Sequence, residues 1–355
     1  MNRTLHPGHQ ATSELQGMNL KIWRSLQVAF WLIGFGIFTA LIFFPNIGIQ
    51  AFWNVLIPVA PALFVLSTGF WRNVCPLGTV SLLPRHLGIS KSKRLSLKWQ
   101  GRFHLIGVIL LFVIVPVRHI VLDTNGLATA LTLALVAVAA FTAGYFFEWK
   151  SGWCSGLCPV HPVEKMYGQK VLFTPPNSHC GRCQNCVIPC PDSIPDMNPA
   201  KANMRKSHRI SSTLLVGGLP GFIWGWFHVP DCNANAHWTD CVLAFGLPYL
   251  TLGVSLSLFL SLRKYLHEKH EPLIVSAFAA AAVSFYYWYR IPALVGYGLF
   301  PGDGMLVDLR AAFPFWMVLV SQIVVAGFFV WWLVFRDAKA AVWAVRPPFA
   351  GRREG

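Results

Sequence analysis

The residues of this chain that could do chemistry are its cysteines, and four of them lie in one short run. The stretch CGRCQNCVIPCP places Cys180, Cys183, Cys186 and Cys190 at the spacing C-x2-C-x2-C-x3-C-P. Four thiolates at this spacing can wrap a [4Fe–4S] cluster, which accepts and releases single electrons. Zinc is the alternative metal, but structural zinc sites normally separate their two C-x2-C pairs by a longer segment. The run therefore predicts an iron–sulfur cluster.

Three further cysteines lie upstream of this run, in two Cys-Pro segments. The stretch CPLG begins with Cys75, and the stretch CSGLCP contains Cys154 and Cys158. Aligning the two Cys-Pro pairs sets Trp71 opposite Cys154, which indicates a degenerate internal repeat with one cysteine absent from its first copy. Membrane proteins are often built from two such repeated halves.

The number of thiols bounds the number of clusters. The run and the two Cys-Pro segments supply seven cysteines, whereas two cubane clusters use eight. We predict one or two [4Fe–4S] clusters and favour two. In a second cluster another residue would take the place of the eighth cysteine, and His161 and His179 are near enough in sequence to do so. Alternatively, the second cluster would contain three iron atoms and lack that ligand. One cluster with spare cysteines is the remaining alternative.

Composition places these cysteines in a membrane protein. Of 355 residues, 55% are hydrophobic and 12% are charged, whereas about a quarter of an ordinary soluble domain is charged. We predict an all-α integral membrane protein with about eight transmembrane helices and a cytoplasmic ferredoxin-like iron–sulfur module. Each predicted helix is near the roughly 20 residues that cross a hydrocarbon core. The predicted helices are 23–45, 52–71, 104–122, 127–147, 211–229, 242–262, 273–297 and 312–335.

The distribution of basic residues predicts the orientation in the membrane. Alternate connecting segments and the two termini hold 26 of the 29 Lys and Arg residues. Such an excess is typical of the cytoplasmic side. We therefore expect a multi-pass protein of the bacterial inner membrane with both termini in the cytoplasm. The net charge of +15 then reflects topology and contact with membrane lipid, and nucleic-acid binding is not expected.

The same pattern divides the chain into three parts. Residues 1–147 form a four-helix membrane unit that includes the first Cys-Pro segment. Residues 148–210 form the cytoplasmic [4Fe–4S] module. Residues 211–355 form a second four-helix membrane unit.

A few polar residues are expected near the opposite membrane face. His119 and His228 could hold haem b, with Arg118 or Arg290 meeting its propionates, and the same residues could instead bind a quinone. The alternative is that they are interfacial residues that reach toward lipid headgroups. A relay to this face would need such a second centre, because the hydrocarbon core is about 30 Å thick.

The segment PDCNANAHWTDC at this face contains the last two cysteines. A structural disulfide between Cys232 and Cys241 is predicted, because this compartment is oxidising. The alternatives are a redox-active dithiol, or a metal site that includes His237, although two cysteines and one histidine fall short of four ligands.

The cysteine motifs resemble those of the ferredoxin-type polytopic membrane proteins of respiratory nitrate and nitrous-oxide reduction, the NapH and NosR kind. The resemblance covers about the first 210 residues and departs from the pattern at Trp71 and in having a single complete ferredoxin run. It implies electron transfer in respiration, between a quinol pool or cytoplasmic donor and a periplasmic acceptor.

We therefore predict a membrane-bound iron–sulfur protein that relays electrons between a quinone or quinol, or a cytoplasmic donor, and a partner redox protein in the periplasm or membrane. It would be a subunit of an oxidoreductase system, because no segment is large enough for a flavin or nicotinamide domain. One alternative is an iron–sulfur redox sensor or a maturation factor for another metalloenzyme. Another is a transporter whose clusters are structural.

Overall fold

The computed structural model describes residues 18–148, 150–168, 170–172, 206–232 and 238–337, without the side chains of a few of them. The ferredoxin run and His179 lie outside these ranges, as does His237. The predictions for the run therefore stay predictions.

The described residues are almost entirely helical. An isolated parallel bridge between Lys93 and Phe147 is the one β pairing among them. The helices are α1 (Met18–Phe43), α2 (Pro45–Ile49), α3 (Ile57–Val74), α4 (Pro76–His86), α5 (Leu97–Val117), α6 (Gly126–Phe146), α7 (His161–Tyr167), α8 (Lys206–Phe227), α9 (Trp238–Tyr265), α10 (Glu271–Leu294) and α11 (Phe315–Val330). Short π-helical turns at Gln50–Leu56, Arg118–Leu122, Trp153–Leu157 and Trp331–Phe335 join or extend them.

Eight helical stretches within the described ranges are long and apolar enough to cross a membrane. They are Asn19–Phe43, Pro45–His86, Lys98–Leu122, Gly126–Phe146, Lys206–Phe227, Val242–Tyr265, Glu268–Leu294 and Phe315–Phe335. The predicted all-α, multi-pass membrane class is therefore confirmed.

The largest difference from the predicted helices is α4. We expected residues 72–102 to be a connecting loop, because they lie between two predicted membrane helices, but Pro76–His86 is helical. Pro76 suits the first turn of a helix, where no backbone N–H is needed. The helix also lies directly against α6, since a Cβ on Gly144 would be 1.8 Å from the carbonyl oxygen of Ser81. Only glycine permits this approach.

One hydrophobic core joins the two predicted four-helix units. Phe64 and Phe112 of the first unit lie in this core with Phe222 and Tyr287 of the second. The rings of Phe112 and Phe222 pack edge to face at 4.7 Å. The Tyr249 hydroxyl donates to the Phe112 carbonyl at 3.0 Å. The two units therefore pack together and hold the ends of their helices in fixed relative positions.

The bundle has two ends that contain the predicted functional residues. We call the end with Cys75, Cys154 and Cys158 the thiol end. The end with Arg118 and Arg290 is the arginine end. Helix α5 connects the two ends, because a Cβ on its Gly107 would lie 3.1 Å from the Cys158 carbonyl oxygen. Gly107 and Arg118 are eleven residues apart, or about 17 Å along a helix axis.

Candidate functional site

The two Cys-Pro junctions of the thiol end have nearly the same backbone conformation. Cys75 has φ −56° and ψ 118°, and Cys158 has φ −63° and ψ 120°. Proline disfavours helical ψ in the residue before it, so each junction ends a helical segment. The Cys75 N–H donates to the Trp71 carbonyl and the Cys158 N–H to the Trp153 carbonyl, each at 2.9 Å. The second bond spans one residue more, because Trp153–Leu157 is a π-helical turn.

Both cysteine sulfurs accept backbone hydrogen bonds. The N–H groups of Leu77 and Gly78 donate to the Cys75 sulfur. The N–H of His161 donates to the Cys158 sulfur. Such donors stabilise negative charge on sulfur, and they tune the potentials of iron–sulfur clusters. The Cys-Pro junctions therefore provide a suitable environment for thiolate ligands.

The three cysteines of the thiol end lie within electrostatic range of one another, although they come from two segments far apart in sequence. Burial raises the pKa of the Cys158 thiol well above its usual value, and the negative charges of Glu164, Cys154 and Cys75 raise it further. The raised pKa keeps the Cys158 thiol neutral unless a positive charge binds it. A metal centre supplies such a charge and deprotonates a coordinating thiol. The donor set of three neighbouring thiols therefore suits a metal cofactor.

A histidine and a carboxylate, one helical turn apart on α7, complete this end. His161 Nδ1 lies 3.5 Å from Glu164 Oε2, and Trp71 Nε1 donates to Glu164 Oε1 at 3.0 Å. Burial is the main reason that the pKa of His161 falls to about 4, so its imidazole is neutral at neutral pH. Burial alone would raise the pKa of Glu164, but the hydrogen bond with His161 and the charge of Arg72 outweigh it and lower the pKa.

The residues that flank the ferredoxin run also lie at the thiol end. A kink at Ser67 interrupts α3, and the nearby Leu66 carbonyl accepts the N–H of Leu172 at 2.7 Å. The Lys170 ammonium group donates to the Leu333 carbonyl at 3.2 Å. On the far side of the run, the His208 ring lies 5.5 Å from the His104 ring. Described residues that precede and follow the run in sequence therefore contact this part of the bundle.

The arginine end brings together three of the four residues predicted for a haem or quinone. The Arg118 guanidinium is 4% exposed and lies between the rings of Trp53 and Trp226, at 5.2 and 5.0 Å. Arg290 donates to the Trp53 carbonyl at 2.8 Å. His119 is next to Arg118 on the π-helical extension of α5.

The two histidines of this end differ in whether a ring nitrogen is left for a haem iron. His119 Nδ1 is hydrogen-bonded to Asp231, and its Nε2 lies 3.0 Å from the Trp226 carbonyl oxygen. His228 Nδ1 lies 2.7 Å from the Trp224 carbonyl oxygen, and the His228 ring stacks on the Trp224 ring at 3.9 Å. Both ring nitrogens of His119 are therefore engaged, whereas the hydrogen bond of His228 engages only its Nδ1.

Three carboxylates that the sequence analysis missed surround His119. The donor atoms of His119, Asp123 and Asp231 lie within 4.8 Å of one another, and Asp303 accepts the Asp231 N–H at 2.8 Å. Burial raises the pKa of Asp123 to about 8, and the charge of Asp231 adds to this. Burial would also raise the pKa of Asp231, but its hydrogen bond with His119 and the charge of Arg118 lower it. Asp231 is thus ionised, while Asp123 holds a proton at neutral pH.

A cavity of about 40 Å³ lies beside these groups. Arg118, His119, Asp231 and Arg290 contribute to its walls. A site needs about 10–15 Å³ of such volume for one water molecule, so the cavity has room for about three. A haem would not fit in it, and a quinone ring would have to bind at its mouth.

The last pair of cysteines is described only in part. Cys232 is buried, and its N–H donates to the His119 carbonyl at 2.7 Å. The disulfide with Cys241 stays a prediction, because the Cys241 side chain is not among the described ones.

Comparisons with known proteins found no matching family model, no similar curated protein and no similar solved structure. The predicted resemblance to the NapH and NosR kind stays a prediction. The function of the chain is therefore inferred from its cysteine motifs and from the geometry of its two ends.

Proposed function

We propose that this protein is a membrane-bound iron–sulfur electron-transfer protein. It would relay electrons between a quinone or quinol, or a cytoplasmic donor, and a partner redox protein. The observation that carries the proposal is that Cys75, Cys154 and Cys158, from two segments far apart in sequence, lie near one another at one end of the bundle. With the four cysteines of the predicted ferredoxin run they make seven thiols, which are enough for one complete cluster and most of a second.

The residues divide between two clusters. The ferredoxin run would hold one [4Fe–4S] cluster, and the three cysteines of the Cys-Pro segments would hold the second. Each cluster supplies a one-electron couple when it is bound. The chain itself orients the thiolates through its Cys-Pro junctions, and it stabilises their charge through the N–H groups of Leu77, Gly78 and His161.

The orientation in the membrane follows from the basic residues. We propose that the thiol end faces the cytoplasm of a bacterium and that the arginine end faces the periplasm, since Lys and Arg are concentrated on cytoplasmic segments. A cytoplasmic donor, or a quinol from the membrane, can then reach the clusters at the thiol end.

The separation of the two ends limits the path of the electrons. About 17 Å of helix lies between Gly107 and Arg118, which is far for one tunnelling step. We therefore place both the entry and the exit of electrons at the thiol end. A quinone bound at the arginine end would exchange electrons with the clusters only through a further redox centre supplied by a partner.

Two polar residues of the membrane helices that a transporter could use are engaged by backbone carbonyl groups. The Ser255 hydroxyl donates to the Gly217 carbonyl at 2.6 Å, and the Gln322 amide donates to the Trp288 carbonyl at 2.7 Å. Both side chains bond to the backbone of neighbouring helices. They do not form the polar lining that a substrate path would need.

A redox titration followed by EPR tests the proposal. The full-length protein is purified without oxygen and titrated, and its reduction by a short-chain quinol analogue and by a low-potential ferredoxin is timed. Each quinol releases two electrons and two protons, so two one-electron cluster reductions balance one quinol oxidation. A cluster signal that either donor produces within the time of a catalytic turnover supports the relay. A cluster that neither donor reduces contradicts the relay and favours the redox sensor or maturation factor.

A further inference from the structure

The strongest unexplained feature of the thiol end is the Nε2 atom of His161. This atom is buried and has no hydrogen-bond partner among the described residues. The opposite ring nitrogen, Nδ1, faces the Glu164 carboxylate at 3.5 Å, which assigns the proton of the neutral ring to Nδ1. Nε2 then presents a lone pair to the protein interior. Leaving a buried acceptor unsatisfied costs free energy, so such an atom calls for a partner.

The pairing of His161 with Glu164 is the arrangement found behind metal-bound histidines. A metal-binding imidazole almost always donates its other N–H to a carboxylate, a carbonyl or water. That hydrogen bond fixes the tautomer and the direction of the ring. In this chain α7 supplies both residues, because residues three apart lie on the same face of a helix.

The sequence position of His161 matches that of a missing thiolate. His161 follows Cys158 at the spacing x2, which is the spacing of the C-x2-C steps in the ferredoxin run. Its own N–H donates to the Cys158 sulfur. The His161 ring and the Cys158 thiol therefore belong to one short segment, as successive ligands of a cluster do.

Trp71 accounts for the cysteine that is absent from the first Cys-Pro segment. Its indole N–H donates to Glu164 Oε1 at 3.0 Å, while the other oxygen of the same carboxylate faces His161. The residue that replaces the cysteine thus holds the carboxylate that orients the histidine. Glu164 therefore contacts both Trp71, which stands where a cysteine is absent, and His161, whose imidazole would replace the missing thiolate.

We propose that the second iron–sulfur cluster has three thiolate ligands and one imidazole ligand, the Nε2 atom of His161. This inference rests on the proposed function, because it needs the cluster that the three cysteines would hold. Glu164 and Trp71 are positioning residues that act through His161. The ligands of this cluster are Cys75, Cys154, Cys158 and His161.

The proposed ligand set has a consequence for the potential. Imidazole is neutral whereas thiolate is negative, and replacing thiolate by imidazole raises the potential of an iron–sulfur centre. The second cluster is then more easily reduced than an all-thiolate cluster in the same environment. The two clusters of the chain would consequently differ in potential, and the titration would show two separate reductions.

Pulsed EPR on the reduced full-length protein tests the ligand directly. Protein is prepared with natural histidine and with ¹⁵N-histidine, and the nitrogen hyperfine couplings of the clusters are recorded. We expect a strongly coupled nitrogen whose spectrum changes with the ¹⁵N label. If the protein contains clusters but shows no such nitrogen coupling, the imidazole ligand is overturned. The electron-transfer proposal is not affected by that result. Iron-free protein would instead contradict the proposed function itself.

Substitutions then assign the nitrogen to one residue. His161→Ala should abolish the coupling, whereas His179→Ala, the matched control, should retain it. His161→Cys should remove the coupling, keep the cluster and lower its midpoint potential. Glu164→Gln should keep the ligand but change the size of its coupling, and this readout does not require the His161 variants to fold. Loss of the coupling only in His179→Ala overturns the assignment to His161. The assignment is also overturned if the coupling is unchanged in both His161→Cys and Glu164→Gln.

Discussion

The thiol end and the arginine end of the bundle both bury ionisable groups, but they satisfy them in different ways. At the arginine end His119 has a partner at each ring nitrogen, and the Arg118 cation lies between two aromatic rings. At the thiol end His161 Nε2 has no described partner, and the Cys158 thiol lies near other groups that become negative. The arginine end thus places its cations beside carboxylates and aromatic rings, whereas the thiol end groups three thiols with a histidine whose Nε2 is unpartnered among the described residues. For this reason we place the proposed cofactor at the thiol end.

The largest expected effect is on metal content. Cys75→Ser or Cys158→Ser should remove the second cluster, which is about half of the iron of the chain. His119→Gln, at the arginine end, is the control and should retain all of it. Iron and acid-labile sulfide assays on the purified variants check this. Equal iron content in the Cys75→Ser variant and in the parent would show that Cys75 holds no cluster at the thiol end.

The next effect is on stability at the arginine end. Arg118→Met removes the cation whose charge acts on Asp123 and Asp231. Removing one partner of a buried ion pair costs about 3–5 kcal/mol. We expect a loss of that size in the free energy of unfolding, measured by denaturant titration in detergent. Arg118→Lys should lose less, because it keeps the charge, and an unchanged free energy for Arg118→Met would contradict the role of compensation.

A smaller effect is expected for the tryptophan of the thiol end. Trp71→Phe keeps an aromatic ring but leaves Glu164 Oε1 without its indole donor. A buried acceptor left without its partner costs about 1–3 kcal/mol. Thermal unfolding should detect this loss. Trp99→Phe, at a position that is 51% exposed, should have little effect, and similar melting of both variants would argue against the Trp71 hydrogen bond.

The last expected effect is a change in pH dependence at the arginine end. Burial raises the pKa of Asp123 to about 8, whereas it is about 3.9 in an unfolded chain. The stabilisation from the bound proton is therefore complete below about pH 4 and is lost as the pH rises toward 8. The lowered pKa of Asp231 acts in the opposite sense, but only at more acidic pH.

Melting temperatures between pH 5 and pH 9 measure this contribution. Asp123→Asn should flatten the decline, because the amide does not titrate. Asp308→Asn is the matched control, since Asp308 is exposed and pairs with Arg310. If the slopes of the parent and Asp123→Asn coincide, the protonated carboxyl at this site is disproved.

The sequence predicted the helices more completely than the sites. Long apolar stretches identified all eight spans, because the hydrocarbon core sets their length and composition. Helix α4 was missed, since its short length and the basic residues around it are typical of a loop. What holds it in place is the close approach to Gly144, which depends on tertiary packing.

The residues of the thiol end were easier to predict from the sequence than those of the arginine end, because only the thiol end has a motif with a recognisable spacing. The spacing of Cys75, Cys154 and Cys158 carries its own chemical signal, so these residues were found from the sequence. Glu164 was missed, although its i, i+3 relation to His161 could have indicated it. Asp123 and Asp231 are single acidic residues near helix ends, and only the folded bundle brings them together.

Iron and acid-labile sulfide per chain, measured on wild-type protein purified without oxygen, test the central claim most directly. The account predicts about seven or eight iron atoms and a similar amount of sulfide, which corresponds to two clusters. About four iron atoms would contradict a second cluster at the thiol end. Protein without iron or sulfide would contradict the iron–sulfur account as a whole.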